Sequence, residues 1–114
     1  NNQVTKLDEF GKPVFSKPVR GFRSPNSVSV DISDDSCWVA DTNHNSVKKF
    51  SSQGKLLVNL PRFNSPQSVS VNSTTGDCWV ADTGNNQVVR LDSEGNEEFR
   101  ISGFQSPLSI GVLP

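Results

Sequence analysis

Cys37-Trp38-Val39-Ala40-Asp41-Thr42 returns, residue for residue, as Cys78-Trp79-Val80-Ala81-Asp82-Thr83. The step is 41 residues, and the likeness spreads outward from both copies. Phe22-x-Ser24-Pro25-x-Ser27-Val28-Ser29-Val30 precedes the first copy, and Phe63-x-Ser65-Pro66-x-Ser68-Val69-Ser70-Val71 precedes the second. A third, partial version follows at the same step in Phe104, Ser106, Pro107, Ser109, Ile110 and Val112. Behind each Trp phrase come an Asn turn and a valine, Asn45-Ser46-Val47 and Asn86-Gln87-Val88, and the chain opens on Asn2-Gln3-Val4. A fixed period of this kind marks a repeat array, in which each unit packs only on its neighbours.

Within the complete unit 22–62, Ser27 to Ile32 alternates small polar with β-branched apolar residues, the period-2 pattern of a strand. Ser33 to Ser36 is a turn, as is its counterpart Asn72 to Asp77. Cys37 to Asp41 is almost wholly apolar, as expected of a strand covered on both faces. Asn43-His44-Asn45 turns the chain, Ser46 to Ser51 forms a third strand, and Lys55 to Leu60 a fourth that ends at Pro61. No stretch shows a helical period. Each unit is therefore a four-stranded antiparallel meander, and strands at this spacing are the mark of β-propeller blades. The fold class is all-β, a partial propeller of under three blades. Residues 1–21 supply third and fourth strands (2–18), 22–62 and 63–103 are full blades, and 104–114 holds the first strand (108–112) of a further blade.

A meander with a Trp on one face is unstable alone, so the units must stack. The repeated core is expected to be Phe22, Val28, Trp38 and Asp41, with Phe63, Val69, Trp79 and Asp82 in the second unit and Phe104 and Ile110 in the third. Large-against-small packing suggests that each Trp fits the serine side of the next unit's first strand. The first strand of each blade would line the axis and the charged fourth would face outward. A first strand without a second, and third and fourth strands without their own first and second, leave open edges. Both termini are expected to contact other protein: further blades of a longer parent, or another copy.

The same residues resemble the NHL repeat, whose usual core is Pro-x-Gly-Ile-Ala-Val-Asp followed by Val-Ala-Asp-Thr-Gly-Asn-x-Arg-Ile. The resemblance covers essentially the whole chain, with Trp-Val-Ala-Asp-Thr occurring twice. Serine stands where the family often has Gly and Ala, and Ser46 and Gln87 stand where Arg is common. The resemblance implies a six-bladed ring that usually binds partners rather than transforming them.

The charge balance of 11 basic and 12 acidic residues provides no field for nucleic acid or an anionic membrane. It is uneven, however: residues 1–30 sum to +3 and residues 91–114 to −3. We read these as solvated loop and edge charges, with a head-to-tail contact as the alternative. No apolar run approaches the ~20 residues that cross a bilayer, so no membrane insertion is expected. The chain has no Met, which suggests a processed product or a piece of something longer. Cys37 and Cys78 occupy equivalent strands of stacked units, too far apart to bridge, and read as buried thiols. Turns rich in Ser, Asn, Asp and Gly suit a protein outside the cytoplasm.

Candidate chemistry is sparse, and no catalytic, cofactor or metal residue is assigned. His44 is the single histidine and has Asn85 at its place in the sister unit, which makes it a turn residue rather than a ligand. Asp41 and Asp82, being repeated, read as strand-end acceptors for backbone N–H groups of the next turn rather than an acid–base pair. Asp31, Asp34 and Asp35 are crowded but lack the glycine and bidentate glutamate of a calcium loop. Asn72-Ser73-Thr74 fits the short glycosylation pattern. The one basic doublet, Lys48-Lys49, has no counterpart in Val89-Arg90, so single-stranded RNA is a lesser alternative. The expected function is a non-catalytic scaffold binding a protein or polymer through its loops. The competing class is a propeller enzyme, a metal-dependent lyase or hydrolase with its active-site residues on other blades.

Overall fold

The computed structural model describes residues 2–5, 7, 10–13 and 19–112. The strands named within them are β1 (Pro25–Asp31), β2 (Ser36–Asp41), β3 (Ser46–Phe50), β4 (Leu56–Leu60), β5 (Ser68–Val71), β6 (Cys78–Asp82), β7 (Gln87–Leu91) and β8 (Glu97–Ser102). They form two four-stranded antiparallel sheets, ordered β1-β2-β3-β4 and β5-β6-β7-β8. Each sheet is a meander and each meander is one propeller blade. One-turn 3-10 helices, Thr42–His44 and Thr83–Asn85, connect the second strand of each blade to the third.

The polar turns between strands are held by their own side chains, which is why Asp, Asn and Ser cluster there. Asp31 Oδ1 accepts from the N–H and Oγ of Ser33, and Asp34 Oδ1 from those of Ser36. Asn72 caps Thr74 in the same way, and Asp92 caps Glu94 and Asn96. These hydrogen bonds hold the Asp34 and Asp92 carboxyls below the usual carboxylate range.

Register decides the faces. Residues directly opposite on antiparallel strands point to the same side, and Trp38 stands between Ser29 and Lys49. Trp38 (0% exposed) and Ala40 enter one core with Phe63, Val69, Cys78 and Val80 of the second blade. Cys37 and Val39 point the other way and pack with Phe22 and Phe50 against Val4 and Val19. A β2 strand buried at every position follows directly from this double cover. The two thiols thus lie in separate cores and form no disulfide. Burial pushes the Cys78 thiol up.

The structure departs from the sequence expectations at several positions. Trp38 meets the valine side of the next blade and not its serine side, because Ser29 is paired with Trp38 and shares its face. Val28 is 52% exposed whereas its equivalent Val69 is 4% exposed. The reason is a missing layer: β1 covers Val69, and no described strand lies over Val28. Trp79 is half-buried, Ile110 is half-buried and Phe104 is exposed, since among the described residues no further sheet lies on the side of β6 they occupy. Residues 108–112 form no strand, because a first strand is made by pairing with a second and none is at hand. The described residues between 2 and 19 show isolated bridges only, Val4↔Val19 and Leu7↔Pro13, at the places of Val47↔Leu60 and Phe50↔Leu56. The rest of the expected strands at 2–18 (6, 8, 9 and 14–18) lies outside the described residues.

Two outcomes follow for stability and thiol chemistry. Trp38→Ala should cost about 3–5 kcal/mol in urea unfolding, the usual penalty for emptying a core aromatic site, and Trp79→Ala distinctly less. Cys37 and Cys78 should resist a thiol reagent in the native protein and titrate as two thiols once it is denatured without reductant. A titration that found no thiol would refute the two-core placement.

Candidate functional site: the joint between blades

The Asp-Thr-x-x-Asn and Phe-x-Ser-Pro phrases prove to be two halves of one joint. Asn45 closes the first 3-10 turn in the left-handed conformation (φ 54°), which asparagine tolerates. This aims its side chain at the next blade, where Oδ1 accepts the Ser65 N–H at 2.9 Å. Its carbonyl accepts the Phe63 N–H at 3.1 Å, and Thr42 Oγ1 donates to the Pro66 carbonyl at 2.7 Å. The second copy repeats this: Asn86 Oδ1 accepts the Ser106 N–H at 2.9 Å and Thr83 Oγ1 donates to the Pro107 carbonyl. Asn2 does the same for Ser24 at 3.0 Å. Ser24, Ser65 and Ser106 all have positive φ, near 50°, so the three joints share one backbone shape.

Two further lines of contact flank the joint. On the axial side Ser27 Oγ accepts the Val69 N–H at 3.2 Å and Ser29 Oγ accepts the Val71 N–H at 3.0 Å. The alternating serines of the first strand are thus small enough to admit the neighbouring strand and polar enough to bond its backbone. On the outer side Lys49 Nζ, 5.6 Å over the Trp38 ring, donates to the Ser93 carbonyl at 2.8 Å. Arg62 donates to the Gly95 carbonyl at 3.1 Å. Gly95 has φ +89°, and a Cβ there would lie 2.7 Å from Val58, so the blades close only on a glycine.

The repeated carboxylates brace this joint from within. Asp41 and Asp82 are buried; Oδ1 of each accepts a backbone N–H from 18 residues earlier, Arg23 and Asn64, at 2.7 Å. The donor is therefore the segment leading into the blade's own first strand and not the next turn, a correction to the sequence reading. Asp41 Oδ2 takes His44 Nδ1 at 2.8 Å and Lys48 Nζ. Asp82 Oδ2 takes Asn85 Nδ2 and Gln87 Nε2, each at 2.9 Å. Burial alone pushes the Asp41 carboxyl up, but the Arg23 amide, the Lys48 ammonium and His44 outweigh it and hold the pKa below its ordinary value. The Lys48-Lys49 doublet forms no basic patch, since adjacent strand residues point to opposite faces.

The structure brings Phe63, Val69 and Trp38 together, with Asp41 and Asp82 each bracing its own blade; Val28, Phe104, Trp79 and Ile110 are not enclosed. The face of the second blade is furnished like the first. Trp79 packs edge-on to Phe99 (5.3 Å), and Arg90 lies over both rings. Beside it opens an apolar cavity of about 450 Å³ lined by Trp79, Val88, Ile101, Phe104 and Ile110. The joint partners Thr42, Pro66 and Ser65 were absent from the core expected on sequence; the signal for them was their recurrence in both copies.

A model of the NHL repeat matches residues 22–50 and 63–91, half of the chain. The chain belongs to the NHL-repeat family. No curated protein matches it significantly. Among solved structures, a streptogramin B lyase superposes with a TM-score of 0.74 at 16% identity, over 96% of this chain and 38% of that one. Kuenenia stuttgartiensis hydrazine synthase gives 0.72 at 16% identity, over 82% and 27%. The Neurospora crassa Pan2 WD40 domain gives 0.70 at 14%, over 92% and 32%. At these identities the likeness is one of fold, and this NHL chain spans well under half of each structure's length.

The Asp41 brace has a pH signature. Its folded-state pKa lies below the unfolded value, so it contributes stability that is fully present above about pH 4 and is lost as pH falls through the folded-state pKa. Asp41→Asn should lower stability at pH 7 by about 1–3 kcal/mol. The variant should also lose less stability than the parent on acidification, read by urea unfolding at each pH.

Proposed function

We propose that these NHL blades act by binding and not by catalysis, as part of a propeller whose loops receive a protein or polymer partner. One observation carries the reading. The side chains with acid–base chemistry at the blade ends, Asp41, Asp82 and His44, are engaged in bracing the joint. The basic doublet is likewise turned into the interior contacts, which supports a partner other than nucleic acid. What the blade ends offer instead is a rigid frame of short polar turns, the arrangement in which a scaffold displays recognition residues.

The reading is tested by immobilising the chain and passing an extract of its source cells over it. A retained polypeptide or polymer should be lost when the turn residues Asn43 and Asn85 are replaced by Lys, and kept when the outer-strand residue Leu57 is replaced by Lys. Retention of no macromolecule, or turnover of a small molecule abolished by Asp82→Asn in a folded variant, would overturn it.

A further inference from the structure

The two ends of each blade are furnished differently. At one end lie the turns 32–35, 51–55, 72–77 and 92–96, where Asp34, Asp35 and Glu94 are exposed. At the other lie the turns 42–45 and 83–86, with the segments 23–26 and 64–67 at which β1 and β5 are entered. The carboxylates there, Asp41 and Asp82, are buried. Besides the joint residues, the side chains that reach solvent at this end are chiefly amides. Asn26, Asn43, Asn64 and Asn85 are exposed and Gln67 is half-buried, with Arg23 and His44 as the exceptions. A further blade stacks on the face of a sheet, as the second does on the first, and leaves this end open.

Two features set free amide groups side by side across the joint. The Arg23 carbonyl accepts the Asn43 N–H at 3.0 Å and the Asn64 carbonyl accepts the Gly84 N–H at 2.8 Å, so residues 23 and 43 stand together as 64 and 84 do. In the second blade the Asn64 side chain fills the place that a side chain on residue 84 would take, since a Cβ on Gly84 would fall 2.4 Å from its Cγ. Each blade thus presents one amide here, Asn43 from the turn or Asn64 from the lead-in. Among the described residues neither side chain has a hydrogen-bond partner. Nearer the axis Asn26 Nδ2 donates to Gln67 Oε1 across the same joint, which leaves Asn26 Oδ1 to accept and Gln67 Nε2 to donate.

These groups select a chemistry. A primary amide both donates and accepts, as a hydroxyl does, and carries no charge. A charged polymer would meet only the guanidinium of Arg23 and the imidazole of His44 on these segments. A polypeptide docks through large anchoring side chains in well-packed apolar pockets, and none of the exposed large apolar side chains of residues 22–103 stands on these turns or lead-in segments. We propose that this end of the blades binds a neutral polyhydroxylated polymer, an uncharged polysaccharide lying across the joint with its hydroxyls on Asn43, Asn64 and the Asn26–Gln67 pair. The proposal rests on the interaction reading above and names its partner. Each amide–hydroxyl bond replaces one to water and gains little by itself. A single sugar is therefore held weakly, and a chain that touches successive blades far better.

The test is affinity electrophoresis of the 114-residue chain in native gels cast with the neutral polymers dextran, laminarin and mannan, beside the acidic polymers polygalacturonate and heparin. At least one neutral polymer should retard the chain against a non-binding reference protein, and raising salt from roughly 0.05 to 0.5 M should change little. The free monosaccharide should compete only at about a hundredfold higher sugar concentration or more. Asn43→Ala combined with Asn64→Ala removes two amides that bond nothing in the fold. It should weaken retention about tenfold or more and leave the urea midpoint unmoved, whereas Asn59→Ala on β4 should do neither. Retardation by none of the neutral polymers, by the acidic ones alone, or by a neutral polymer that holds the double variant as well as the parent would overturn the proposal. A polypeptide retained from the extract by a chain that no neutral polymer retards would overturn the polysaccharide partner alone and leave the interaction reading standing.

Discussion

A blade of this family cannot enclose its own tryptophan. Trp38 projects from the middle of a four-stranded sheet, and the core that encloses it draws Phe63, Val69, Cys78 and Val80 from the following blade. Burying a side chain of that size is worth about 4–6 kcal/mol, a large share of the stability of a small domain. That sum is available only to a pair of blades. The joint at Thr42, Asn45, Ser65 and Pro66, the serine bonds along the axis and the Lys49 reach to Ser93 all fix one blade's height and angle over the other. Without them the apolar faces would slide, since dispersion and hydrophobic burial have little directionality of their own.

The period, the strand order within each blade and the family were legible because a repeat shows each element twice. Two copies of Trp-Val-Ala-Asp-Thr in register leave little freedom in the fold. What could not be read was which face meets which. Alternation places Ser29 and Trp38 on definite sides of their own strands, but only the pairing of β1 with β2 reveals that these are the same side. For the same reason Val28 and Val69 look identical in sequence and differ entirely in exposure, burial being a property of the neighbour and not of the residue. The bracing role of Asp41 was foreseen in kind and misplaced in partner. Its donor, the Arg23 amide, lies 18 residues upstream, a closure that only the tertiary fold creates.

The two braces also show how one architecture accepts different chemistry. Asp41 is held by a histidine and a lysine, Asp82 by two amides, and the carboxylate oxygens end in the same bonded state. A buried carboxylate needs donors, whichever side chains supply them. Charge at these positions is therefore interchangeable with neutral polarity, and a histidine or a basic doublet in one repeat is weak evidence of a site. The functional reading accordingly rests on geometry and not on residue type.

The joint has a consequence for how such a chain can change length. Each of its bonds spans two units, linking residue numbers that differ by 18 to 44, and the Asn45 and Thr42 side-chain bonds recur 41 residues on. A duplication or deletion of one whole period moves every donor and acceptor by the same amount and regenerates every junction. An insertion of any other length in a strand sets Asn45 against the wrong residue and unseats both neighbours at once, and one of odd length also turns the residues beyond it to the opposite face. Arrays built this way are therefore expected to vary in copy number by integer steps, while variation in length within a unit is confined to the turns that no joint crosses.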